Sequence, residues 1–309
     1  MDTPNLESPD PESATYRYDE LSMFEENALE AGLPWRGAPA VRRIEITVDP
    51  TIGRMLRGLQ WGPGNPELVL IHGGAQNAHT WDTTLLALDR PALCLDLPGH
   101  GHSDWRDDQA YTPASMADDL AVAIAALAPD AALVVGMSLG GITALELVDR
   151  YPALVRRLAL VDVTPGVTGE KAKAILDFVA GPQSFPSFAE LLARTIEHNP
   201  TRSVSSLRRG ILHNAHRDTD GSWRWNYDRR TPHARAADGA SALWDAVSRI
   251  GVPVALLRGA RSPVVDDADV AELLRRQPNG RVDVVADAGH SIQGDQPVEL
   301  ARLLADLLR

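Results

Sequence analysis

The sequence predicts an α/β protein with a doubly wound, mostly parallel sheet, and three observations support this fold class. First, four continuously apolar runs follow one another with helix-length segments between most of them, as parallel strands buried on both faces do. These runs are ELVLIHG, ALCLDL, ALVVGMS and RLALVDV. Second, the runs VPVALLRG and RVDVVAD return later, with helical patterns over 266–277 and 296–308. Third, the alternation of apolar runs and helical patterns stops between about Pro165 and Ala246. This segment has helical patterns but no such run, which predicts an inserted, mainly helical cap.

These patterns divide the chain into three parts. Residues 41–165 and 246–309 form the predicted core, which opens with RIEITV and MLRGLQW as a hairpin-like pair. Residues 166–245 form the predicted cap. Within the cap, Asp220-Gly221 is typical of a tight turn.

Residues 1–40 form an acidic N-terminal extension. Residues 1–30 contain nine acidic side chains and a single basic one, Arg17. Residues 1 to about 15 offer no apolar face, so we expect disorder there. Apolar residues recur at helical spacing between Tyr18 and Leu33, which predicts a short amphipathic helix. This helix is expected to pack on the body or on a neighbouring subunit, so a homo-oligomer stays open.

Composition excludes several classes of protein. With 44% hydrophobic and 23% charged residues, the 309-residue chain is typical of a globular protein. The single cysteine, Cys94, excludes an internal disulfide and a four-cysteine zinc site. The net charge of −12 argues against nucleic acid and anionic membranes as partners. No apolar run approaches a membrane span, and the acidic start lacks the pattern of a secretory signal, so we expect a cytoplasmic location.

The segment ALVVGMSLGGITALELV contains the most informative motif. Gly136-Met137-Ser138-Leu139-Gly140 lies where an apolar run meets a helical pattern, which is the context of a nucleophile elbow. The flanking glycines allow the tight turn, and the following helix directs its N-terminus at charge that develops on a substrate. Ser138 is therefore the predicted nucleophile.

A serine nucleophile needs a base and an oxyanion hole. His290 follows the last strand run, in a loop that can return to the edge where the nucleophile emerges, and is the predicted base. The amide of Leu139 and the amide of Gly74, with Ala75 as the fallback, are the predicted oxyanion donors. His72 is predicted to hold the Gly74 loop.

These residues resemble the α/β-hydrolase superfamily, in its serine esterase and lactonase-like branch with a helical cap. IHGGAQNAHTWD, DLPGHGHSDW, GMSLGG and AGH occur in the order of that superfamily, over about residues 41–309. The resemblance implies an eight-stranded, mostly parallel sheet with a lid after the sixth strand.

The resemblance also raises the question of the third triad member. Many relatives carry an aspartate just after the seventh strand, where this chain has Ser262 and Pro263. Asp162, at the end of the sixth strand, is the first candidate because some relatives place their acid there. Asp266 is the runner-up, and its alternative role is a helix N-cap.

Neither a metal nor a cofactor is predicted. His100, His102 and Asp104 match the beginning of the H-x-H-x-D-H zinc motif, but Trp105 replaces its last histidine. No Gly-x-Gly-x-x-Gly follows the first strands, so a dinucleotide is not implied.

The predicted function is a serine hydrolase that cleaves a carboxylic ester or lactone with an apolar moiety. Cap aromatics are candidates for the substrate pocket, or for the packing of the cap: Phe178, Phe185, Phe188, Trp223, Trp225 and Tyr227. Two alternatives remain open. One is a C–C bond hydrolase of ring-cleavage diketones, and the other is a non-catalytic ligand-binding protein on the same fold.

Overall fold

The apolar runs of the sequence form the middle strands of a sheet in the computed structural model, which describes residues 10–13, 15–200, 202–228 and 240–309. The strands are β1 (Val41–Asp49), β2 (Arg54–Trp61), β3 (Leu68–Ile71), β4 (Ala92–Leu95), β5 (Leu133–Met137), β6 (Leu158–Val161), β7 (Ser184–Phe185), β8 (Ala215–Arg217), β9 (Trp223–Trp225), β10 (Val254–Gly259) and β11 (Arg281–Val285). The α-helices are α1 (Phe24–Glu30), α2 (Asp82–Leu88), α3 (Pro113–Leu127), α4 (Leu139–Arg150), α5 (Lys173–Val179), α6 (Phe188–His198), α7 (Val204–Asn214), α8 (Leu243–Arg249), α9 (Asp267–Arg276), α10 (Ile292–Asp295) and α11 (Pro297–Leu307).

Eight strands form one sheet in the order β1-β2-β4-β3-β5-β6-β10-β11. The β1–β2 and β2–β4 pairs are antiparallel, and every pair from β4 to β11 is parallel. This sheet confirms the predicted fold class. Because the carboxyl ends of parallel strands meet at one edge, the loops after β3, β5, β6 and β11 converge there.

Both faces of the sheet are buried, which explains why the strand runs are continuously apolar. In β3, Val69 and Ile71 join the core on one face, whereas Leu68 and Leu70 join the core on the other. Helices α3 and α4 cover the first face, and α2 and α11 cover the second. Within the described residues, no helix is long and apolar enough to cross a membrane.

The segment between β6 and α8 differs from the prediction in one respect. It contains the helices α5, α6 and α7, but also a small antiparallel sheet in the order β7-β9-β8, which sequence reasoning missed. These strands have only two or three residues, too few to give a periodic signal. The predicted turn at Asp220-Gly221 joins β8 to β9, with Gly221 at φ 90°. Residues 229–239 of the predicted cap lie outside the described residues.

The N-terminal segment packs on the body of its own chain. The predicted helix spans only Phe24–Glu30, and Phe24 lies edge-on against Trp61 at a centroid distance of 4.9 Å. One turn further along the helix, Asn27 accepts a 2.7 Å hydrogen bond from Nε of Arg209 in α7, whose guanidinium also pairs with Glu26 and Glu30. Helix α1 therefore joins the sheet domain to the inserted segment. Residues 1–9 and 14, where disorder was predicted, lie outside the described residues.

Helix α1 allows a matched test of this packing. We expect Phe24→Ala to lower the free energy of unfolding by about 3–5 kcal/mol, because it empties a buried site. Leu29→Ala on the same helix removes a side chain that is 44% exposed and should change it by less than about 0.5 kcal/mol. Urea denaturation of both variants measures the difference. Equal losses would show that the contact between Phe24 and Trp61 does not anchor the helix.

Candidate active site

Ser138 occupies a sharp turn between the end of β5 and the start of α4. Its backbone has φ 51° and ψ −120°, a conformation that residues with a side chain rarely adopt. The turn is fixed because the Ser138 carbonyl accepts hydrogen bonds from the amides of Gly141 and Ile142, at 2.9 and 3.0 Å. This conformation places the serine at the carboxyl edge of the sheet, where it lines a cavity.

The two glycines of the motif are required by close contacts. A Cβ at Gly136 would lie 2.5 Å from the carbonyl oxygen of Gly140. A Cβ at Gly140 would lie 2.4 Å from the carbonyl oxygens of Ile71 and His72. Because neither contact tolerates a methyl group, the first turn of α4 can pack against β5 only with glycine at position 136, and against the end of β3 only with glycine at position 140.

The loop after β3 runs directly against the serine. A Cβ at Gly73 would lie 3.2 Å from Cβ of Ser138, and Ala75 adopts φ 58°. His72 is fully buried, with Nε2 accepting the amide of Leu97 at 2.9 Å and Nδ1 lying 2.7 Å from the Gly73 carbonyl. Burial lowers the pKa of His72, so the ring is neutral and Nδ1 donates to Gly73. His72 thus holds this loop.

Two predicted residues meet at the same edge. Nδ1 of His290 lies 2.8 Å from Oδ2 of Asp162, and Asp162 is fully buried with φ 51°. Oδ1 of Asp162 accepts the amide of Gly259 at 2.8 Å, and Oδ2 also accepts the hydroxyl of Ser262. Because Nδ1 of His290 donates to the carboxylate, Nε2 is left as the basic nitrogen. Nε2 is buried without a partner among the described residues, and His290 lines the cavity that Ser138 lines.

The runner-up acid, Asp266, has other partners. Its side chain caps α9 by accepting the amide of Asp269 at 2.9 Å, and its carboxylate pairs with Lys171 at 2.9 Å. These contacts correspond to the N-cap role that the sequence offered as its alternative.

The cavity in front of Ser138 has two parts. The larger part has a volume of about 360 Å³ and the smaller one about 60 Å³, and both are lined by Gly74, Ser138 and His290. Leu139 contributes to the smaller part. The remaining walls of the smaller part are mainly apolar and include Ile142, Val163, Val167, Leu176 and Val179.

Comparisons with known proteins identify the family of the chain. The profile of the alpha/beta hydrolase fold matches residues 66–297. Esterase Rv0045c of Mycobacterium tuberculosis is 42% identical over 297 residues, covering 94% of this chain and 96% of that protein. The chain belongs to the α/β-hydrolase family. This result confirms the predicted family and its esterase branch.

Solved structures of other members of the α/β-hydrolase family superimpose closely on the chain. A crystal structure of the Mycobacterium tuberculosis esterase matches with a TM-score of 0.82, over 94% of this chain and 98% of that one. The structure of E-2-(acetamidomethylene)succinate hydrolase matches with a TM-score of 0.78 and 25% identity, over 87% and 99% of the two chains. Among sequences, 3-hydroxybutyrate-oligomer hydrolase of Cupriavidus necator is 32% identical, covering 78% of this chain and 89% of that protein.

The aromatic residues of the inserted segment of this hydrolase fall into two groups. Phe178 and Trp225 line the larger cavity. Trp223, Tyr227, Phe185 and Phe188 do not line this cavity. They pack in a buried cluster that also includes Trp225, and within it Phe188 lies edge-on to Trp223 at 5.0 Å. Sequence reasoning could not separate these groups, because Trp223 and Trp225 lie on one strand and both are buried.

The hydrolase also gathers a group of potential metal ligands away from the zinc-like motif. Within the described residues, the group close enough to share an ion is His79, Asp82 and His213. The two rings stack at 3.8 Å with an interplanar angle of 9°. Because ring lone pairs lie in the ring planes, parallel rings do not converge on one ion. As arranged, the cluster is a buried polar network that includes Glu20 and Tyr18 of the N-terminal segment.

The zinc-like motif itself stabilises a loop of the hydrolase. Nδ1 of His100 lies 3.0 Å from the carbonyl of Pro98, and the His102 amide donates to Asp96. Asp104 accepts the amide of Met55 at 2.8 Å. His100 and His102 thus make contacts within the loop after β4, and Asp104 joins that loop to β2.

Sequence reasoning missed Ser262. The residue stands where many relatives carry their acid, and its hydroxyl donates to the carboxylate that occupies the alternative position. If Asp162 is the acid, its carboxylate needs hydrogen-bond donors, and a hydroxyl at position 262 can supply one. The serine in the motif LLRGARSPVV could therefore have indicated this contact.

His79 gives the hydrolase a pH-dependent contribution to stability. Burial lowers its pKa, but Asp82, Glu20 and Asp96 outweigh burial and raise the pKa to about 9, from an ordinary 6.5. Because the pKa is higher in the folded state, protonation of His79 stabilises that state. This stabilisation is complete below pH 6.5 and is lost as the pH rises through about 9. We therefore expect the free energy of unfolding to fall over this interval, by at most about 1.4 kcal/mol per pH unit.

Denaturation at pH 6, 7.5 and 9 measures this contribution. His79→Gln should flatten the slope relative to the unsubstituted protein, whereas His216→Gln, which changes a half-exposed histidine, should leave the slope as it was. Parallel slopes for the unsubstituted protein and His79→Gln would contradict the assignment.

Proposed function

We propose that the chain is a serine hydrolase that cleaves a carboxylic ester, or a lactone, through Ser138, His290 and Asp162. The observation that carries this proposal is the position of His290. Its Nδ1 is held by a buried carboxylate, while its Nε2 lacks a partner among the described residues and its ring lines the cavity in front of Ser138. Activation of a serine requires a histidine whose Nδ1 is held by a carboxylate and whose Nε2 is free to accept the proton of the serine hydroxyl.

The proposed reaction has two halves. Oγ of Ser138 attacks the substrate carbonyl as Nε2 of His290 takes its proton, and Asp162 stabilises the resulting imidazolium. The imidazolium then protonates the leaving alcohol, which departs from an acyl-enzyme. Water, deprotonated by His290, attacks the acyl group, and the acid leaves as Ser138 recovers its proton. No cofactor takes part in these steps.

The amides of Leu139 and Gly74 are the proposed donors to the tetrahedral oxyanion. The first amides of a helix have no acceptor within that helix, so the amide of Leu139 at the start of α4 is available. Gly74 belongs to the loop that lies against Ser138, and it lines both parts of the cavity. The two donors would therefore approach the carbonyl from neighbouring segments.

Residues 166–245 are proposed to act as a cap that selects an apolar moiety. The smaller cavity adjoins Ser138 and is bounded by Val167, Leu176 and Val179 from this segment. Its volume suits a short apolar group, whereas the larger cavity, bounded by Phe178 and Trp225, accommodates the rest of the substrate. The name of the Mycobacterium tuberculosis esterase supports an ester as the bond cleaved.

Hydrolysis of p-nitrophenyl esters, from acetate upward, tests the triad. We expect Ser138→Ala and Asp162→Asn each to lower kcat by roughly 10³- to 10⁴-fold or more, because one removes the nucleophile and the other leaves the histidine without its orienting charge. Asp266→Asn is the matched control and should retain activity close to that of the unsubstituted protein, since asparagine also caps a helix. Loss of activity in Asp266→Asn alone would overturn the assignment of Asp162.

Failure of the unsubstituted protein on every ester would contradict the ester proposal. Lactone and ring-cleavage diketone substrates would then be tested, and ligand binding without turnover would identify a receptor.

The tryptophans of β9 test which cap residues contact the substrate. Trp223 and Trp225 are 4% and 5% exposed, but only Trp225 of this pair lines the cavity. We expect Trp225→Leu to change the ratio of kcat/KM between long and short acyl esters, and Trp223→Leu to leave that ratio unchanged. The unfolding free energies of both variants control for lost packing. An altered ratio in both variants would show that the effect is structural.

A further inference from the structure

Arg202 stands out among the cations that line the larger cavity. Its Nη2 donates to Oγ of Ser206 at 2.7 Å, and its Nε is buried without a partner among the described residues. Within those residues, no carboxylate lies within ion-pair distance of its guanidinium. By contrast, Lys171 in the same cavity is paired with Asp266 and Asp269, and Arg209 of α7 with Glu26 and Glu30.

The surroundings of Arg202 do not replace the missing carboxylate. The guanidinium lies over Gly294, where a Cβ would come within 2.7 Å of Cζ. Asp295 also lines the cavity, but its Oδ2 accepts the amide of Gly289 at 2.8 Å. Burial lowers the pKa of Arg202 and the charge of Asp295 only partly opposes this effect. A buried guanidinium without a carboxylate partner lowers the stability of the fold, unless a bound ligand supplies the opposite charge.

We propose that Arg202 binds a carboxylate carried by the substrate. This inference rests on the proposed function and names its substrate class: an ester that bears a free carboxylate at a distance from the scissile bond. A guanidinium fork matches a carboxylate in shape and charge, and the pair forms strong hydrogen bonds. Two chemical forms meet this description, a monoester of a dicarboxylic acid and an O-acyl ester of a hydroxy acid. They differ in whether the acyl part or the alcohol part holds the charge.

Matched pairs of substrates test the proposal in a pH-stat. Monomethyl glutarate is compared with methyl valerate for a charge on the acyl part, and 3-(butyryloxy)propanoate with its methyl ester for a charge on the alcohol part. We expect kcat/KM of the unsubstituted protein to favour the charged member of one pair by about 10- to 100-fold, as for a hydrogen-bonded charge. The favoured pair identifies which part of the ester faces Arg202.

Variants separate binding from structure. In Arg202→Met the preference for the charged ester should fall to about one, mainly through a higher KM for that ester, and Arg202→Lys should retain part of it. The control Arg224→Met, which changes a half-exposed arginine paired with Asp218, should keep the full preference. Competitive inhibition of neutral ester hydrolysis by glutarate, measured against valerate, gives an independent readout on the unsubstituted protein and on Arg202→Lys.

Hydrolysis of neutral and charged esters at equal rates, with glutarate no better an inhibitor than valerate, would overturn the inference and leave the proposed function intact. A preference that survives in Arg202→Met would also overturn it. Inactivity on all four esters, together with inactivity on p-nitrophenyl esters, would instead overturn the proposed function.

Discussion

The sharp turn at Ser138 is the constraint on which the rest of the site depends. Its positive φ is unfavourable for a serine, and the fold maintains it because α4 lies close against the end of β3. That approach is possible only while Gly136 and Gly140 lack side chains. The same contact brings the loop after β3 against the serine, so one packing arrangement positions both the candidate nucleophile and the loop proposed to hold the oxyanion.

Asp162, the proposed acid, lies at the end of β6, next to the strand end where the sequence analysis first looked for an acid. Strands β6 and β10 are parallel neighbours, so a carboxylate at the end of either strand reaches the same edge of the sheet. The amide of Gly259 and the hydroxyl of Ser262, both at the end of β10, donate to the carboxylate of Asp162. The carboxylate on β6 is thus held by the end of the neighbouring strand.

The family and the fold class could be predicted from the sequence because each has a local signal. Continuous apolar runs follow from burial on both faces, and the Gly-x-Ser-x-Gly motif follows from contacts within one turn. The roles of Ser138, His290 and Asp162 stay predictions until activity is measured. The three short strands after β6 have too few residues for a periodic signal, and the division between Trp223 and Trp225 depends on contacts between segments distant in sequence.

The contacts of the N-terminal segment also could not be predicted from the sequence, and they extend to the loop beside Ser138. The helical spacing of its apolar residues predicted α1. That spacing did not indicate that Arg209 would contact three side chains of this helix, namely Glu26, Asn27 and Glu30. At the C-terminal end of α7, Asn214 donates to the carbonyl of Ala75 at 2.6 Å, within the loop that lies against Ser138. Helix α7 therefore contacts the N-terminal helix through Arg209 at its middle and the candidate oxyanion loop through its C-terminal end. Ala75 holds a left-handed conformation that needs support from its surroundings. The described residues of the N-terminal segment do not line the cavity around Ser138, but they support the loop beside it through α7.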